Sequence, residues 1–160
     1  MATNADQAYQ PKIYLAPGGD EMRVKSGGKL IVETGGLIQN QAGVAGATIV
    51  VGAEAANVRL ITVQLTDADG ADIAVRQAVV VAVLLDANGD AFVTTGGSTG
   101  IAIGTDGALL ALVAKKLFLA ISEADGDIDL SWTDIGTEAA YLAVILPNGK
   151  MVISAAMTNT

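Results

Sequence analysis

The chain has 160 residues, a formal net charge of −8, and neither cysteine nor histidine. These absences exclude disulfides, thiol nucleophiles, imidazole bases and zinc sites built from those side chains, so we expect neither an enzyme nor a cofactor or metal. The acidic balance argues against a nucleic-acid partner, because a phosphate backbone requires a basic surface.

Hydrophobic residues make up 51% of the chain, but no membrane segment is predicted. The longest apolar runs, AVVVAVLL at 78–85 and ALLALVA at 108–114, are far shorter than the roughly 20 residues that span a bilayer. The N-terminus lacks the basic start and apolar core of a secretory signal. Apolar residues in such numbers indicate surface that is hidden in an assembly.

The first 38 residues contain an extended segment followed by a doubled phrase. Pro11 and Pro17 bracket IYL at 13–15 and favour extended backbone over helix. The phrase V-x-[ST]-G-G-x-[LI] then begins at Val24 and again at Val32. Two apolar runs this short, each interrupted by a glycine pair, cannot bury their own side chains, and repeats of this kind require neighbours.

The neighbours of the doubled phrase are predicted to be the body of the protein or the same segment of other copies. We favour three arms wound together, since that arrangement hides the apolar side chains and pairs the strand edges. The alternative is a disordered arm or a short edge hairpin on the body. Tyr9 and Tyr14 are predicted contact residues, because tyrosine is enriched at protein interfaces.

Charge divides the chain near residue 53. Residues 1–53 contain four basic and four acidic residues, whereas residues 54–160 contain five basic and thirteen acidic ones. A glycine- and alanine-rich connector, QNQAGVAGA, occupies 39–47. We therefore predict an N-terminal arm and linker over 1–53 and a separate body over 54–160.

Turn sequences punctuate the body from about Val58 onward. They are DADG at 67–70, DANGD at 86–90, TGGSTG at 95–100, TDG at 105–107, ADGD at 124–127 and PNG at 147–149. Asp-Gly and Asn-Gly supply the positive φ angles of tight hairpins. Between the turns, ITVQL at 61–65 and IDLSW at 128–132 alternate apolar and polar residues, as half-buried strands do. The pattern predicts an all-β protein whose body is a β-sandwich of about seven strands, with Trp132 in its core.

One stretch, ALLALVAKKLFLAI at 108–121, fits either an amphipathic helix or two strands. We favour two strands that turn at 114–116, because the neighbouring segments are strands. The turn would expose Lys115 and Lys116.

A formal catalytic motif lies in the body. GGSTG at 96–100 matches the G-x-S-x-G nucleophile elbow, with Ser98 in the serine position. The chain has no histidine to serve as base, and no helix is predicted after the motif. We therefore interpret the segment as a loop.

Two aspartate clusters have the alternating oxygen ligands of a calcium loop. They are Asp86, Asn88 and Asp90, and Asp125, Asp127 and Asp129. Both lack the glycine at position six and the glutamate at position twelve of that loop. Hairpin turns, which favour aspartate, are the preferred interpretation, with calcium as the alternative.

The arm and several body motifs resemble the head decoration, or cement, proteins of tailed bacteriophages. The similar segments are PGGDEMRVKSGGKLIVETGG from Pro17, R-x-A-V-V-V from Arg76, GTDG from Gly104, SEADGDIDL from Ser122 and YLAVILPNGKMVIS from Tyr141. The body, with V-Q-L-x-D-A-D-G from Val63, also resembles bacterial immunoglobulin-like modules. Both resemblances imply a sandwich, and neither implies catalysis.

The resemblance implies a homotrimer on the outer surface of the virion capsid, where it binds the major capsid protein and stabilises the head. It assigns residues 9–38 to trimer winding and capsid docking, and the acidic body to the outside. The expected interface residues are Tyr9, Pro11, Ile13, Tyr14, Leu15, Val24, Leu30, Val32, Leu37 and Ile38. The alternative function is an immunoglobulin-like adhesin or glycan-binding module on a phage fibre or a cell surface.

Overall fold

The computed structural model describes residues 13–15, 22–24 and 43–160. The chain divides into two units, Met1–Gln39 and Asn40–Thr160. In the first unit, strands β1 (Ile13–Leu15) and β2 (Met22–Val24) pair antiparallel, with Tyr14 opposite Arg23.

The second unit contains nine strands in two antiparallel sheets. The strands are β3 (Gly46–Ala55), β4 (Val58–Thr66), β5 (Ala78–Leu84), β6 (Gly100–Ile103), β7 (Ala108–Val113), β8 (Leu117–Ile121), β9 (Asp127–Thr133), β10 (Tyr141–Ile145) and β11 (Met151–Ala156). One sheet has the order β3-β4-β9-β6 and the other the order β11-β10-β5-β8-β7. The described residues form no helix, and therefore none that could span a membrane. The prediction of an all-β chain is confirmed for this unit.

The inward side chains of the two sheets share one hydrophobic core. From the four-stranded sheet it takes Ile61, Val63, Leu65, Ile101, Ile128, Leu130 and Trp132, and from the five-stranded sheet Val79, Val81, Val83, Phe118, Ala120, Leu142 and Val144. The two-residue alternation in β4 and β9 arises because every second side chain of a strand points to the same face. Sheets that share a core in this way form a β-sandwich, and the prediction that Trp132 lies in the core is confirmed.

The segment 108–121 forms the two strands β7 and β8, as predicted. The turn between them places Lys115 in the left-handed region, with φ of 63°. The expectation that both lysines would be exposed is wrong, because Lys115 and Lys116 are half-buried. The Lys115 ammonium donates to the carbonyl oxygens of Gly97 and Ser98, at 3.1 and 2.7 Å.

The boundary expected between residues 53 and 54 falls inside β3. This strand pairs with β4 from Gly46 opposite Thr66 to Ala55 opposite Val58, so residues 46–53 belong to the sandwich. Small residues made this segment resemble a linker, yet Ile49 and Val51 pack against the core. The unit boundary lies at residues 39 and 40 instead, and the sandwich has nine strands rather than about seven.

Candidate functional site

The outer face of the five-stranded sheet is apolar from one edge to the other. The pairing register sets a row of Met151, Ile145, Val80, Leu119 and Leu110 across all five strands. A second row consists of Ile153, Ala143, Ala82, Leu117 and Val113. None of the five strands contains a charged residue. We refer to the surface made by these two rows as the apolar face.

The apolar face is partly covered by its own side chains. Ala82, Leu84 and Ala143 are buried beneath Leu117, Tyr141 and Ile153, which form a second, smaller hydrophobic cluster outside the main core. Toward the sheet edges the side chains are open to solvent. Leu110 is 61% exposed and Met151 is 41% exposed.

A groove of about 150 Å³ lies on the apolar face. It is lined by the strand residues Ala82, Leu84, Leu117, Ile145 and Met151 and by Gly89, Asp90, Ala91 and Phe92 from the loop after β5. A bridge between Leu84 and Phe92 brings this loop against the sheet. The Phe92 ring is 49% exposed at the groove, so an aromatic side chain is available for contact with a partner.

Strand β7 closes one edge of the apolar face. Its sequence, ALLALV, contains none of the lysines, prolines or inward charges that natural proteins use to keep edge strands from pairing. Leu110, Leu112 and Val113 are all at least half exposed. A register shift between Ala111 and Val113 interrupts the strand near its end, so residues 108–111 are the part of this edge that is open to backbone pairing as well as to apolar packing.

The outer face of the four-stranded sheet is different. The register places on it Thr48, Thr62, Gln64, Asp127, Asp129, Ser131 and Thr133. The exposed apolar residues Val50 and Leu60 are exceptions within this surface. We refer to it as the polar face, and it has the composition of a sheet surface that meets water.

Three aspartates meet on the polar face. Carboxylate oxygens of Asp106, Asp127 and Asp129 lie within 4.8 Å of one another. Asp129 accepts a hydrogen bond from the Thr62 hydroxyl at 3.1 Å, whereas Oδ1 of Asp127 is buried and has no partner among the described residues. Burial, reinforced by the charges of Asp129, Asp106 and Asp125, raises the pKa of Asp127.

The first aspartate cluster lies in a turn, as preferred from the sequence, whereas only Asp125 of the second cluster does. Oδ1 of Asp86 accepts from the N–H groups of Asn88 and Gly89, at 2.8 and 3.2 Å. Oδ1 of Asp125 accepts from the N–H of Asp127 at 3.3 Å. Asp127 and Asp129 themselves lie in β9, so the expected run 125–129 is half turn and half strand.

The GGSTG segment is a loop held by two carboxylates. The Ser98 hydroxyl accepts from the N–H of Ile135 at 3.1 Å, and the Ser98 N–H donates to Asp134 at 3.0 Å. Asp134 also accepts from the N–H groups of Gly136 and Glu138. The interpretation of this segment as a loop is confirmed. Its hydrogen bonds join the segment before β6 to the segment after β9.

Glu138 is the second carboxylate that organises this loop. It accepts from the N–H of Thr95 at 2.8 Å, the hydroxyl of Thr95, and the N–H groups of Gly96 and Gly97. Burial raises the pKa of Glu138, but the hydrogen bonds from Thr95 and Gly97 outweigh burial and lower the pKa to about 2. The carboxylate is therefore ionised at every pH near neutrality.

Most of the expected trimer and capsid interface lies outside the described residues. This applies to Tyr9, Pro11, Leu30, Val32, Leu37 and Ile38. The other four expected residues fall in β1 and β2, where Ile13 pairs with Val24 and the backbone runs on through Tyr14 and Leu15.

Sequence analysis missed the apolar face and its exposed residues, among them Phe92, Leu110 and Met151. A signal was present, because the runs at 78–85 and 108–114 contain no polar residue at alternate positions. Whether such a run is covered on both sides depends on what packs against each face of the sheet.

No protein-family model, no curated protein and no solved structure matches this chain.

Proposed function

We propose that this protein is a structural virion protein, a homotrimeric decoration protein that binds the outer surface of a tailed-bacteriophage capsid and stabilises the head. The apolar face supports the association of copies in this proposal, because contiguous exposed apolar surface marks a place where a partner binds. The resemblance of the arm and body motifs to head decoration proteins supplies the class of partner, the major capsid protein.

The charge distribution supports an outward position for the body. The polar face carries Asp127 and Asp129, and Asp106 lies against them. The first unit, residues 1–39, by contrast has four acidic and four basic residues. An acidic surface that faces solvent keeps decorated particles apart, while a neutral arm approaches the capsid without a charge penalty.

The alternative, an immunoglobulin-like adhesin or glycan-binding module, receives less support. The strands occupy the same positions as in a variable immunoglobulin domain, but the connections differ, because the chain crosses to β6 before it returns to β7 and β8. Among the described aromatic residues Trp132 is buried and Tyr141 is half-buried, while Phe92 is well exposed. A glycan platform commonly needs more than one exposed ring.

The test is reconstitution on heads that lack the protein. We expect the full-length chain to form a trimer by native mass spectrometry, to cosediment with the heads, and to raise the temperature at which they release DNA. Electron cryomicroscopy should then show added density at junctions between capsomers. A chain that stays monomeric and leaves head stability unchanged would contradict the proposal.

A shortened chain separates the roles of arm and body. The deletion should remove residues 1–39 and keep β3 whole, because residues 46–55 are part of the sandwich. We expect this variant to fold, as judged by circular dichroism, and to lose binding to heads. Binding that survives the deletion would assign capsid docking to the body.

A further inference from the structure

The apolar face needs a partner that is itself uncharged. The strands that form it have no charged residue, while residues 54–160 contain five basic and thirteen acidic residues. Transient interfaces are about as polar as the rest of a protein surface, whereas interfaces between permanently associated copies are more apolar. The composition of this face is that of the second class.

We infer that copies of this chain associate through their apolar faces, which surround the common threefold axis of the proposed homotrimer. The inference rests on the proposed homotrimer and adds the surface that holds it, which is on the body and not only in the arm. Contact through this face brings together strands that carry no charge, with only Asp90 of the groove lining beside them, while contact through the polar face would oppose Asp127 and Asp129 of one copy to those of another.

The apolar face is smaller than a complete self-association surface, so other contacts must add to it. Five strands about 4.8 Å apart, each about five residues long at about 3.3 Å per residue, give roughly 400 Å² per copy. A stable interface buries roughly 800 Å² per partner. The apolar face is therefore the centre of the interface, and the loop with Phe92 and the edge of β7 enlarge it.

Two matched double variants of the full-length chain test the inference. L110K/I121K places one lysine at Leu110 of the apolar face and one at Ile121, which follows Leu119 by two residues in β8 and so points to the same side of the sheet. The two residues are 61% and 39% exposed. V50K/L60K places two lysines on the polar face, at residues that are 58% and 68% exposed. Both variants change the net charge equally and alter side chains that already meet solvent.

Sedimentation equilibrium and native mass spectrometry supply the measurement. We expect L110K/I121K to dissociate at concentrations at least about 100-fold higher than the wild type, since two apolar contacts become charged. V50K/L60K should assemble like the wild type. Circular dichroism melting checks that both variants are folded.

Hydrogen exchange of the wild-type chain gives a second measurement that needs no variant. Above the dissociation concentration, exchange in β7 and in the loop 85–92 should slow relative to dilute protein, while exchange on the polar face stays unchanged. Equal protection at both concentrations would overturn the inference.

The outcomes separate the inference from the proposed function. If L110K/I121K assembles as well as the wild type, the apolar face is not the interface, and the proposed decoration role rests on the arm. If L110K/I121K is monomeric but binds heads with wild-type affinity, the inference holds and the proposed trimeric docking fails. A wild-type chain that is monomeric at every concentration overturns both.

Discussion

The two outer surfaces of the sandwich differ in composition. The polar face alternates with the core in the usual way of antiparallel sheets, with threonine, serine and aspartate directed to solvent. The apolar face instead continues the hydrophobic composition of the interior onto the outside of the molecule. A sheet that is apolar on both sides is ordinarily covered on both sides. The comparison shows that one surface of this unit has the composition of a solvated sheet and the other has the composition of a covered one.

The largest difference between the faces should appear in the free energy of unfolding when an aspartate replaces a leucine on each. Leu117 is half-buried among Ala82, Leu84 and Ala143, so Leu117→Asp buries a carboxylate without a partner. We expect the free energy of unfolding to fall by about 2 to 4 kcal/mol. Leu60→Asp, on the polar face and 68% exposed, should cost about 1 kcal/mol or less.

Urea unfolding at one low protein concentration measures both variants, because association would add to the apparent stability. Equal losses for Leu117→Asp and Leu60→Asp would show that the apolar face tolerates charge, and that the contrast between the two faces has no energetic basis.

Much of the fold could be predicted from local pattern. The alternation at 61–65 and 128–132 defined β4 and β9, and the Asp-Gly and Asn-Gly pairs located the turns. The hairpin of β7 and β8 followed from the neighbouring strands. β3 was misassigned, because glycine and alanine give a strand and a linker the same composition.

The surfaces could not be predicted, because they depend on which strands share a sheet. The charge-free segments β5, β7, β8, β10 and β11 are spread over residues 78–156, and only pairing makes them neighbours. The same holds for the carboxylates. Glu138 meets Thr95 at a separation of 43 residues, and Asp106, in the turn between β6 and β7, meets Asp127 at the start of β9.

Two carboxylates differ in how well they are hydrogen-bonded. Glu138 accepts several hydrogen bonds, whereas Oδ1 of Asp127 has no partner among the described residues. Because its folded pKa is about 2, below the ordinary 4.5, Glu138 stabilises the protein above about pH 4.5. That contribution is lost as the pH falls toward 2. Glu138→Gln should lower the free energy of unfolding by about 1 to 3 kcal/mol at pH 7, since charge-assisted hydrogen bonds to the loop are lost.

The matched control for Glu138 is Glu123→Gln, which removes an exposed ion pair with Arg76 and should cost no more than about 0.5 kcal/mol. Thermal unfolding from pH 7 to pH 2 measures both. The stability of Glu138→Gln should depend less on pH between 4.5 and 2 than that of the wild type. An unchanged pH profile would show that the loop does not depend on this carboxylate.

The smallest expected effect is a gain in stability, on replacement of Asp127. Burial and the neighbouring aspartates raise the pKa of Asp127 above 3.8, so the ionised form opposes folding at neutral pH. This penalty disappears as the pH falls through the raised pKa toward 3.8. Asp127→Asn should therefore stabilise the protein at pH 7 by about 0.2 to 1 kcal/mol, the range for like charges on one sheet face.

Asp72→Asn, at an exposed position outside the cluster, is the control and should change little. Measurement in EDTA keeps divalent cations from neutralising the cluster, and a loss of stability in Asp127→Asn under that condition would show that the three carboxylates do not repel one another.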